Sequence, residues 1–226
     1  MIKVIQPGLF TTIQYAGRHG FRNIGIPTSG FMDQESAWAA NELVDNNKDE
    51  SLLEITLTGP TLIFNCNCVI SITGGDFNPL INNLPVKMYQ SINVSSGDIL
   101  KLNNTINGAR SYIAISGGLN VKSLFGSKSF FSNISDSYHL KKGDEIKVSK
   151  KSESQILKWD KLKFNLNRFM KVFKGPEYDL LSTNSKKKLF KNEFTINTNN
   201  RMAYNLEETL QVDIKTIISV SYTHLT

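Results

Sequence analysis

The sequence predicts a mainly β protein with one short α-helix near residues 34–44. Apolar and polar residues alternate over short stretches, and turn signals such as Gly-Asp and Gly-Pro separate these stretches. A helical pattern with readable ends occurs in one segment. Many short strands with frequent turns are typical of a closed or sandwiched β architecture and not of a parallel α/β sheet.

The strands are predicted from this alternation and from the turns that bound them. In "LLEITLT" (52–58), Leu53 and Ile55 face one side, whereas Glu54 faces the other, polar side. The alternation resumes at Leu62, and its interruption at "NCNC" indicates a tight turn between two strands. Three more strands are expected, two of them after Gly-Asp turns: "DILKLNN" (98–104), "DEIKVSK" (144–150) and "SYIAISGGL" (111–119).

The helix is predicted by its cap and by its apolar face. Asp33 is a good N-cap residue, because its side chain can accept a hydrogen bond from a free backbone N–H of the first turn. Ala37, Ala40 and Val44 lie on one face, and their small side chains allow close packing against a sheet. Asn41 falls on the same face, so it needs hydrogen-bond partners or costs about 1–3 kcal/mol.

Composition and charge exclude several classes of function. No apolar run approaches the roughly 20 residues that span a bilayer, and the N-terminus lacks the apolar core of an export signal, which predicts a cytoplasmic protein without a membrane partner. The block at 186–188 (Lys-Lys-Lys) lacks interleaved aromatic residues, so we interpret it as a solvated loop and expect no nucleic-acid partner. Cys66 and Cys68 are too close for an unstrained disulfide, and the scattered histidines predict no metal site.

The chain is expected to contain two β units. Residues 1–150 are expected to form the first β unit, which contains the loop and the helix as its candidate site, and the lysine-rich residues 151–167 are expected to form a connection. Residues 168–219 form a second, incomplete β unit. Residues 220–226 resemble one reading frame of a sequencing-library adapter, so we expect the native sequence to end near Ser219 and to be truncated here.

Several motifs occur together in a characteristic order and spacing. The N-terminal motifs contain Pro7, Gly8, Thr11, Gln14, Gly17, Arg18, Gly20, Gly25, Ser29, Gly30, Met32, Asp33, Ala40, Asn41, Leu43, Asn47, Leu53 and Glu54. These positions match the pattern P-G-x-x-T-x-Q-D-x-G-R-x-G, G-x-x-x-S-G-x-M-D, A-N-x-L-x-x-N and L-E, and downstream segments such as "YIAISGGLNVKSLFGSKS" and "NNRMAYNLE" also match. Together the motifs resemble the biotin-dependent carboxyltransferase family, the group of allophanate hydrolase subunit 2, and the resemblance covers almost the whole chain up to residue 219.

The resemblance implies a cyclophilin-like β-barrel fold and a heteromeric enzyme. In the 5-oxoprolinase branch of the family, it implies ATP-dependent ring opening of 5-oxo-L-proline to L-glutamate. The implied partners are a subunit-1-type (B-type) protein and a homologue of the A-type component, with ATP and Mg²⁺ in the complex. Two alternatives stay open: a carboxyltransferase subunit of a urea- or allophanate-type system, with biotin supplied by a partner chain, or a non-catalytic regulator of a kinase inhibitor.

Three residues are candidates for catalysis. Arg18 can clamp a carboxylate or phosphate in bidentate fashion. Asp33 can act as a base or orient water, or it can be a plain cap. Glu54 can take part in the reaction, or it can be a structural partner of Arg18. A helix N-terminus preceded by glycines offers free N–H groups to an anion.

Further residues are candidates for substrate binding, and a few depart from the family pattern. The amide and hydroxyl groups of Gln14, Ser29 and Asn41 can hydrogen-bond a lactam or carboxyl group, although Asn41 can also be a buried structural amide. The matched motifs add Gly30 and Arg201. The departures are Tyr15 in place of Asp, Lys128 in place of Arg, Ala203 in place of Gly and Asn205 in place of Arg.

Overall fold

The computed structural model describes residues 1–149, 172–199 and 204–211. The chain divides into two compact units, Met1–Phe164 and Asn165–Thr226. The predicted connection at 151–167, the expected tail at 220–226 and Ala203 lie outside the described residues.

Residues 1–149 form eleven strands and one α-helix. Their bounds are β1 Ile2–Gln6, β2 Phe10–Gln14, α1 Gln34–Leu43, β3 Leu52–Thr56, β4 Thr61–Phe64, β5 Cys68–Asp76, β6 Leu80–Ile81, β7 Leu84–Pro85, β8 Ser91–Val94, β9 Ile99–Lys101, β10 Asn107–Ile115 and β11 Glu145–Ile146. Short 3-10 turns occur at Arg22–Ile24 and Asp136–Tyr138. The predominance of strands confirms the mainly β prediction.

The strands form two antiparallel sheets that share one core. The first sheet has the order β2-β3-β10-β5-β8, and the second has the order β11-β1-β4-β9-β6-β7. Buried apolar side chains of both sheets form a single cluster, with Leu53 and Ile113 from the first sheet and Val4, Leu62 and Leu100 from the second. Because side chains alternate between the faces of a strand, the first sheet has a second face that points away from this core.

Helix α1 covers that outer face of the first sheet. Ala37, Ala40 and Val44 pack in one buried cluster with Leu52 and Ala114, as the predicted apolar face of the helix requires. Three hydroxyl groups of the sheet also donate to backbone carbonyls of α1: Thr73 to Ser36 (2.7 Å), Ser71 to Ala40 (2.6 Å) and Ser91 to Leu43 (2.6 Å). The helix is therefore fixed to the sheet by both apolar packing and hydrogen bonds.

One detail of the strand predictions differs in the structure, and another is confirmed. The side of β3 that carries Glu54 is not a solvated polar face, because α1 and the preceding loop cover it and leave Glu54 only 1% exposed. The interruption at residues 65–67 does separate two strands, β4 and β5. These two strands belong to different sheets, so the turn carries the chain from one layer to the other.

The predicted Gly-Asp turns are built alike. Asp98 accepts a hydrogen bond from the backbone N–H of Ser95 at 2.8 Å, and Asp144 accepts one from Lys141 at 2.7 Å. In each turn the carboxylate bonds a backbone group three residues earlier and precedes a short strand. The two Gly-Asp sequences thus form the same type of turn.

The second unit is described from residues 172–199 and 204–211. It contains a 3-10 turn at Tyr178–Leu180, a helix α2 (Thr183–Lys191) and an antiparallel pair of strands, β12 (Ile196–Asn199) and β13 (Tyr204–Leu206). Ser182 caps α2 by accepting a hydrogen bond from Ser185 N at 3.1 Å. The interpretation of residues 186–188 as a loop is wrong, because they lie within α2. Asn205, one of the departures, donates across the strand pair to Thr198 Oγ1 at 2.8 Å.

Among the described residues, no helix combines the length and the apolar composition that crossing a membrane would require.

Candidate functional site

The outer face of the first sheet carries a row of polar residues at the start of α1. Strand register places Thr12 opposite Glu54, Glu54 opposite Tyr112 and Tyr112 opposite Thr73. Residues paired in antiparallel strands point to the same face, so all four side chains lie on the side covered by α1. All four are buried.

Glu54 is the centre of this row. Its Oε2 atom accepts hydrogen bonds from the backbone N–H of Met32 at 2.8 Å and from the Tyr112 hydroxyl at 3.1 Å. Its Oε1 atom lies 3.8 Å from Arg110 Nε. A buried carboxylate needs such donors and a neighbouring cation, because desolvation otherwise makes its charge costly. The expected alternative, Glu54 as the ion-pair partner of Arg18, is wrong, because Glu54 pairs with Arg110.

The Tyr112 hydroxyl connects Asp33 with Glu54 through hydrogen bonds. The backbone N–H of Asp33 donates to the Tyr112 hydroxyl at 2.7 Å, and the same hydroxyl donates to Glu54. Burial, together with the nearby Glu54 carboxylate, raises the pKa of Tyr112 far above its usual value, so the phenol stays protonated at neutral pH. The structure therefore brings two of the three predicted catalytic residues to one buried hydroxyl.

The side chain of Asp33 caps α1, as predicted. Its carboxylate accepts hydrogen bonds from Ser36 N at 3.1 Å and from the Ser36 hydroxyl. Because this negative group already occupies the N–H that an anion would use, the start of α1 does not fit a bound phosphate. We therefore assign no ATP phosphate to the helix start. Among the described residues, no cluster of three His, Cys, Asp or Glu side chains could hold a metal ion.

A second tyrosine, Tyr89, closes the site beside the "TGGD" segment. Its hydroxyl accepts from Gly74 N at 2.9 Å and donates to Gly74 O at 3.0 Å, and burial raises the pKa of Tyr89 to about 12. Gly74 has a φ of +84°, and an added Cβ would lie 2.6 Å from Arg110 O. The glycine thus allows β5 to approach β10 closely at the residue that forms the ion pair with Glu54.

Arg18 lies apart from this row and is almost completely buried, at 1% exposure. It donates through Nη2 to Ser129 O at 3.0 Å and through Nε to Leu124 O at 3.3 Å. Its Nη1 atom is buried without a hydrogen-bond partner among the described residues. Burial lowers the pKa of Arg18, although nearby Tyr138 opposes the shift. Arg18 therefore ties two chain segments together, and its predicted role as an anion clamp stays a prediction.

The structure does not bring the predicted substrate-binding residues together at one position. Ser29 donates to Phe130 O at 2.6 Å, next to the segment that Arg18 holds. Gly30 has a φ of +99°, and an added Cβ would lie 3.1 Å from Ala16 O, so it allows two loops to touch. Arg201 lies outside the described residues.

Asn41 and Gln14 are both fully buried. Asn41 donates to Lys48 O at 3.1 Å and to Glu50 O at 2.8 Å, the arrangement expected of a structural amide that holds the loop after α1. Gln14 donates to Thr12 Oγ1 at 3.0 Å, and its Oε1 atom has no partner among the described residues. Substrate contacts by either residue stay predictions.

One of the departures from the family pattern, Lys128, has a clear structural role, whereas the contacts of Tyr15 are made by its backbone. Lys128 donates to Glu50 Oε1 at 2.8 Å and keeps a positive charge where the family has Arg. Burial alone would raise the pKa of Glu50, but hydrogen bonds from Lys128 and Ser51 outweigh it and hold this pKa below its usual value. The backbone of Tyr15 exchanges hydrogen bonds with the Ser129 hydroxyl at 3.0 and 3.1 Å.

Sequence reasoning missed Arg110, Tyr112 and Tyr89. For the first two residues a signal existed. In "NGARSYIAI", Arg110 and Tyr112 lie two residues apart on one strand, so they share one face. Their pairing with Glu54 requires the strand register, which only the fold supplies.

The first unit is thus a mainly β module with two antiparallel sheets and one helix on the outer face. The family model described as "Carboxyltransferase domain, subdomain A and B" matches residues 24–224. The chain belongs to this family.

The similar proteins fall into two groups. Urea amidolyase of Lachancea kluyveri is 39% identical over 130 residues, which are 57% of this chain and 7% of that protein. The C subunit of 5-oxoprolinase from Escherichia coli is 29% identical over 212 residues, which are 92% of this chain and 68% of that protein. The solved K. lactis urea amidolyase is 30% identical with a TM-score of 0.77, covering 92% of this chain and 14% of that one. The chain therefore spans a small part of the urea amidolyases and about two thirds of the 5-oxoprolinase relative.

Proposed function

We propose that this protein is one subunit of an ATP-dependent 5-oxoprolinase that converts 5-oxo-L-proline to L-glutamate together with partner subunits. The observation that carries the proposal is the extent of the similarity to the C subunit of 5-oxoprolinase, which runs along 92% of this chain. The partners are a subunit-1-type (B-type) protein and a homologue of the A-type component. A cytoplasmic location is part of the same proposal.

The chemistry explains why such an enzyme needs ATP. A five-membered lactam is a stable amide, and phosphorylation of its carbonyl oxygen by ATP turns that oxygen into a leaving group. Because Asp33 occupies the start of α1, we expect ATP and Mg²⁺ to be bound elsewhere in the complex. This chain would instead supply buried polar groups that bind and orient the small substrate.

The row around Glu54 is the part of this chain best suited to that task. The Tyr112 hydroxyl, the Glu54 carboxylate and the Arg110 guanidinium are held within one network at the start of α1. A neutral phenol, an anion and a cation fixed before substrate arrives are groups that can hydrogen-bond a polar ligand without reorganising.

The test is reconstitution of the complete complex. The full-length chain is co-expressed with the B-type protein and the A-type homologue, and glutamate formation from 5-oxoproline and ATP is measured. We expect ATP-dependent glutamate release. A complex with the substitution Asp33→Asn distinguishes a capping role of Asp33 from a role in the reaction. Asparagine caps a helix about as well as aspartate but carries no charge.

The matched control is Glu42→Gln, which removes a carboxylate from the exposed side of α1. Lost activity in Asp33→Asn, with normal activity in Glu42→Gln and both complexes intact, supports a reactive Asp33. Unchanged activity in both assigns Asp33 to capping alone. An intact wild-type complex that releases no glutamate contradicts the proposed function.

A second candidate is a carboxyltransferase subunit of a biotin-dependent urea- or allophanate-type system. The higher identity to urea amidolyase over 130 residues favours it. Biotin would then be supplied on a partner chain. ATP- and bicarbonate-dependent carboxylation of urea by this chain with a biotin carboxylase partner, and no glutamate release, would favour this candidate.

A further inference from the structure

The outer face of the first sheet changes from buried to open along the strands. The row of Thr12, Glu54, Tyr112 and Thr73 is buried. The next row, two residues further along each strand, contains Phe10, Thr56 and Arg110, which pair in register and are only partly buried. The cover that α1 and its preceding loop provide therefore ends at this row, and solvent reaches Arg110.

Arg110 lies at this opening with an unused donor. Its side chain is 21% exposed, yet its Nε atom is buried and has no hydrogen-bond partner among the described residues. Glu54 Oε1, at 3.8 Å, supplies a neighbouring charge but is too distant for a hydrogen bond. A buried donor without an acceptor is costly, so the protein itself leaves this guanidinium incompletely satisfied while part of its side chain is open to solvent.

The surrounding residues hold the position of Arg110. Glu54 is fixed by Met32 N and the Tyr112 hydroxyl, so the anion beside the guanidinium does not have to reorganise. On the other side, Gly74 lets β5 approach so closely that an added Cβ would lie 2.6 Å from Arg110 O, so a larger residue would displace this strand. The Arg110 guanidinium is therefore held in position before a ligand binds, and such preorganisation favours ligand affinity.

We propose that Arg110 binds the carboxylate of the substrate, so that the site selects a small carboxylated lactam such as 5-oxoproline over a neutral molecule such as urea. Guanidinium groups bind carboxylates through two parallel hydrogen bonds. Glu54 acts as a positioning residue that orients Arg110. The inference rests on the proposed function and names the group that recognises its substrate.

The experiment uses the complete complex with Arg110→Gln and Arg110→Lys. Loss of one charge-assisted interaction should raise the KM for 5-oxo-L-proline by about 10- to 100-fold, with a much smaller change in kcat. Lysine keeps the charge but not the paired donors, so Arg110→Lys should give an intermediate KM. The KM for ATP should not change. Lys101→Gln, which removes a charge from an exposed position of the second sheet, is the control.

A substrate analogue tests recognition without any substitution. The neutral 5-oxo-L-prolinamide should show a KM at least about 10-fold above that of 5-oxoproline in the wild-type complex, measured by ADP release. In Arg110→Gln this discrimination should disappear, a result that a merely structural role of Arg110 would not produce. Thermal unfolding and size-exclusion chromatography establish that each variant complex is intact.

Four results would overturn the inference. An unchanged KM for 5-oxoproline in Arg110→Gln, or equal KM values for the acid and the amide in the wild type, excludes carboxylate binding at Arg110. A raised KM for ATP alone identifies the anion as a phosphate. If the wild-type complex does not act on 5-oxoproline, the proposed function fails and this inference fails with it. An active wild type with an unaffected Arg110→Gln refutes only the inference.

Discussion

At the scale of single residues, the Glu54 carboxylate is almost completely buried and depends on the groups around it. It is 1% exposed and depends on a backbone N–H, a phenol and a nearby guanidinium. Removing one partner of such a group leaves the others unsatisfied, and that loss is larger than the net gain from forming the bond.

The substitution Glu54→Gln tests this dependence. We expect it to lower the free energy of unfolding by about 1–3 kcal/mol, because Arg110 loses its neighbouring anion and an amide nitrogen replaces one acceptor oxygen. Urea denaturation of the purified chain measures the change. Glu42→Gln, on the exposed side of α1, should stay within about 0.5 kcal/mol of the wild type. Equal stability of all three proteins would refute the assigned role of Glu54.

The Lys128–Glu50 pair gives a prediction for pH. The pKa of Glu50 in the folded state is lowered from its ordinary value of 4.5, so ionised Glu50 stabilises the fold above that value and the contribution is lost as the pH falls through the folded pKa. Lys128→Met should therefore cost up to about 1 kcal/mol near neutral pH, since both side chains are about a quarter exposed, and almost nothing in acid.

Denaturation of wild type and Lys128→Met at neutral and acidic pH measures this difference. Lys122→Met, an exposed lysine of the same loop, is the control and should show no such pH dependence. A difference between wild type and Lys128→Met that persists unchanged into acid would contradict an electrostatic origin.

At the scale of elements, α1 depends on its cap and on its hydrogen bonds to the sheet. Asp33 satisfies the Ser36 N–H at its start, and hydroxyls of three sheet residues bind its backbone carbonyls along its length. These bonds fix the helix start against Tyr112 and Glu54. The position of α1 thus determines how the polar row is covered.

Two substitutions of Asp33 distinguish the contribution of its capping hydrogen bond from the contribution of its charge. Asp33→Ala should lower the free energy of unfolding by about 1 kcal/mol, whereas Asp33→Asn should preserve it within a few tenths, because asparagine also caps helices. Chemical denaturation of both variants measures the effect. Equal losses in the two variants would show that the charge of Asp33, and not its capping bond, stabilises the fold.

The hydroxyl contacts of α1 can be tested at Thr73. Thr73→Val should cost about 1 kcal/mol, because it removes the hydrogen bond to Ser36 O while keeping the side-chain shape. Amide hydrogen exchange in α1 should become faster. Thr61→Val, in the other sheet, is the matched control. Unchanged protection of α1 in Thr73→Val would show that apolar packing alone holds the helix.

At the scale of the whole molecule, the described strands of the first unit pair with strands of the same unit. Both sheets and both apolar clusters are built from residues 2–148. A unit that buries its own core and pairs its own strands is expected to fold by itself.

A fragment of residues 1–164 tests this expectation. It should unfold in one cooperative transition, followed by circular dichroism during urea denaturation. The matched substitution Leu53→Ala within the shared core should lower its stability by about 2–5 kcal/mol. A fragment without a cooperative transition would show that residues after 164 complete its core.

The sequence predicted local features well where one short segment contains the whole signal. The cap at Asp33 and the two Gly-Asp turns each depend on residues three positions apart, and the apolar face of α1 lies within the helix segment itself. Helix α2 was missed although its cap, Ser182, bonds the first turn of the helix, because the lysines at 186–188 were interpreted as a solvated loop. Lysine is a good helix former, so a charged block by itself does not indicate a loop.

The sequence alone determined that this protein is built of short strands and places one capped helix after a glycine-rich loop, because alternation, turns and caps are local properties of the chain. Only the tertiary structure decided that Glu54 pairs with Arg110 and not with Arg18. The two partners lie on strands far apart in the sequence, and their contact depends on the register of β3 with β10. A one-residue slip would move Arg110 to the other face, so the site is a property of the fold and not of any single motif.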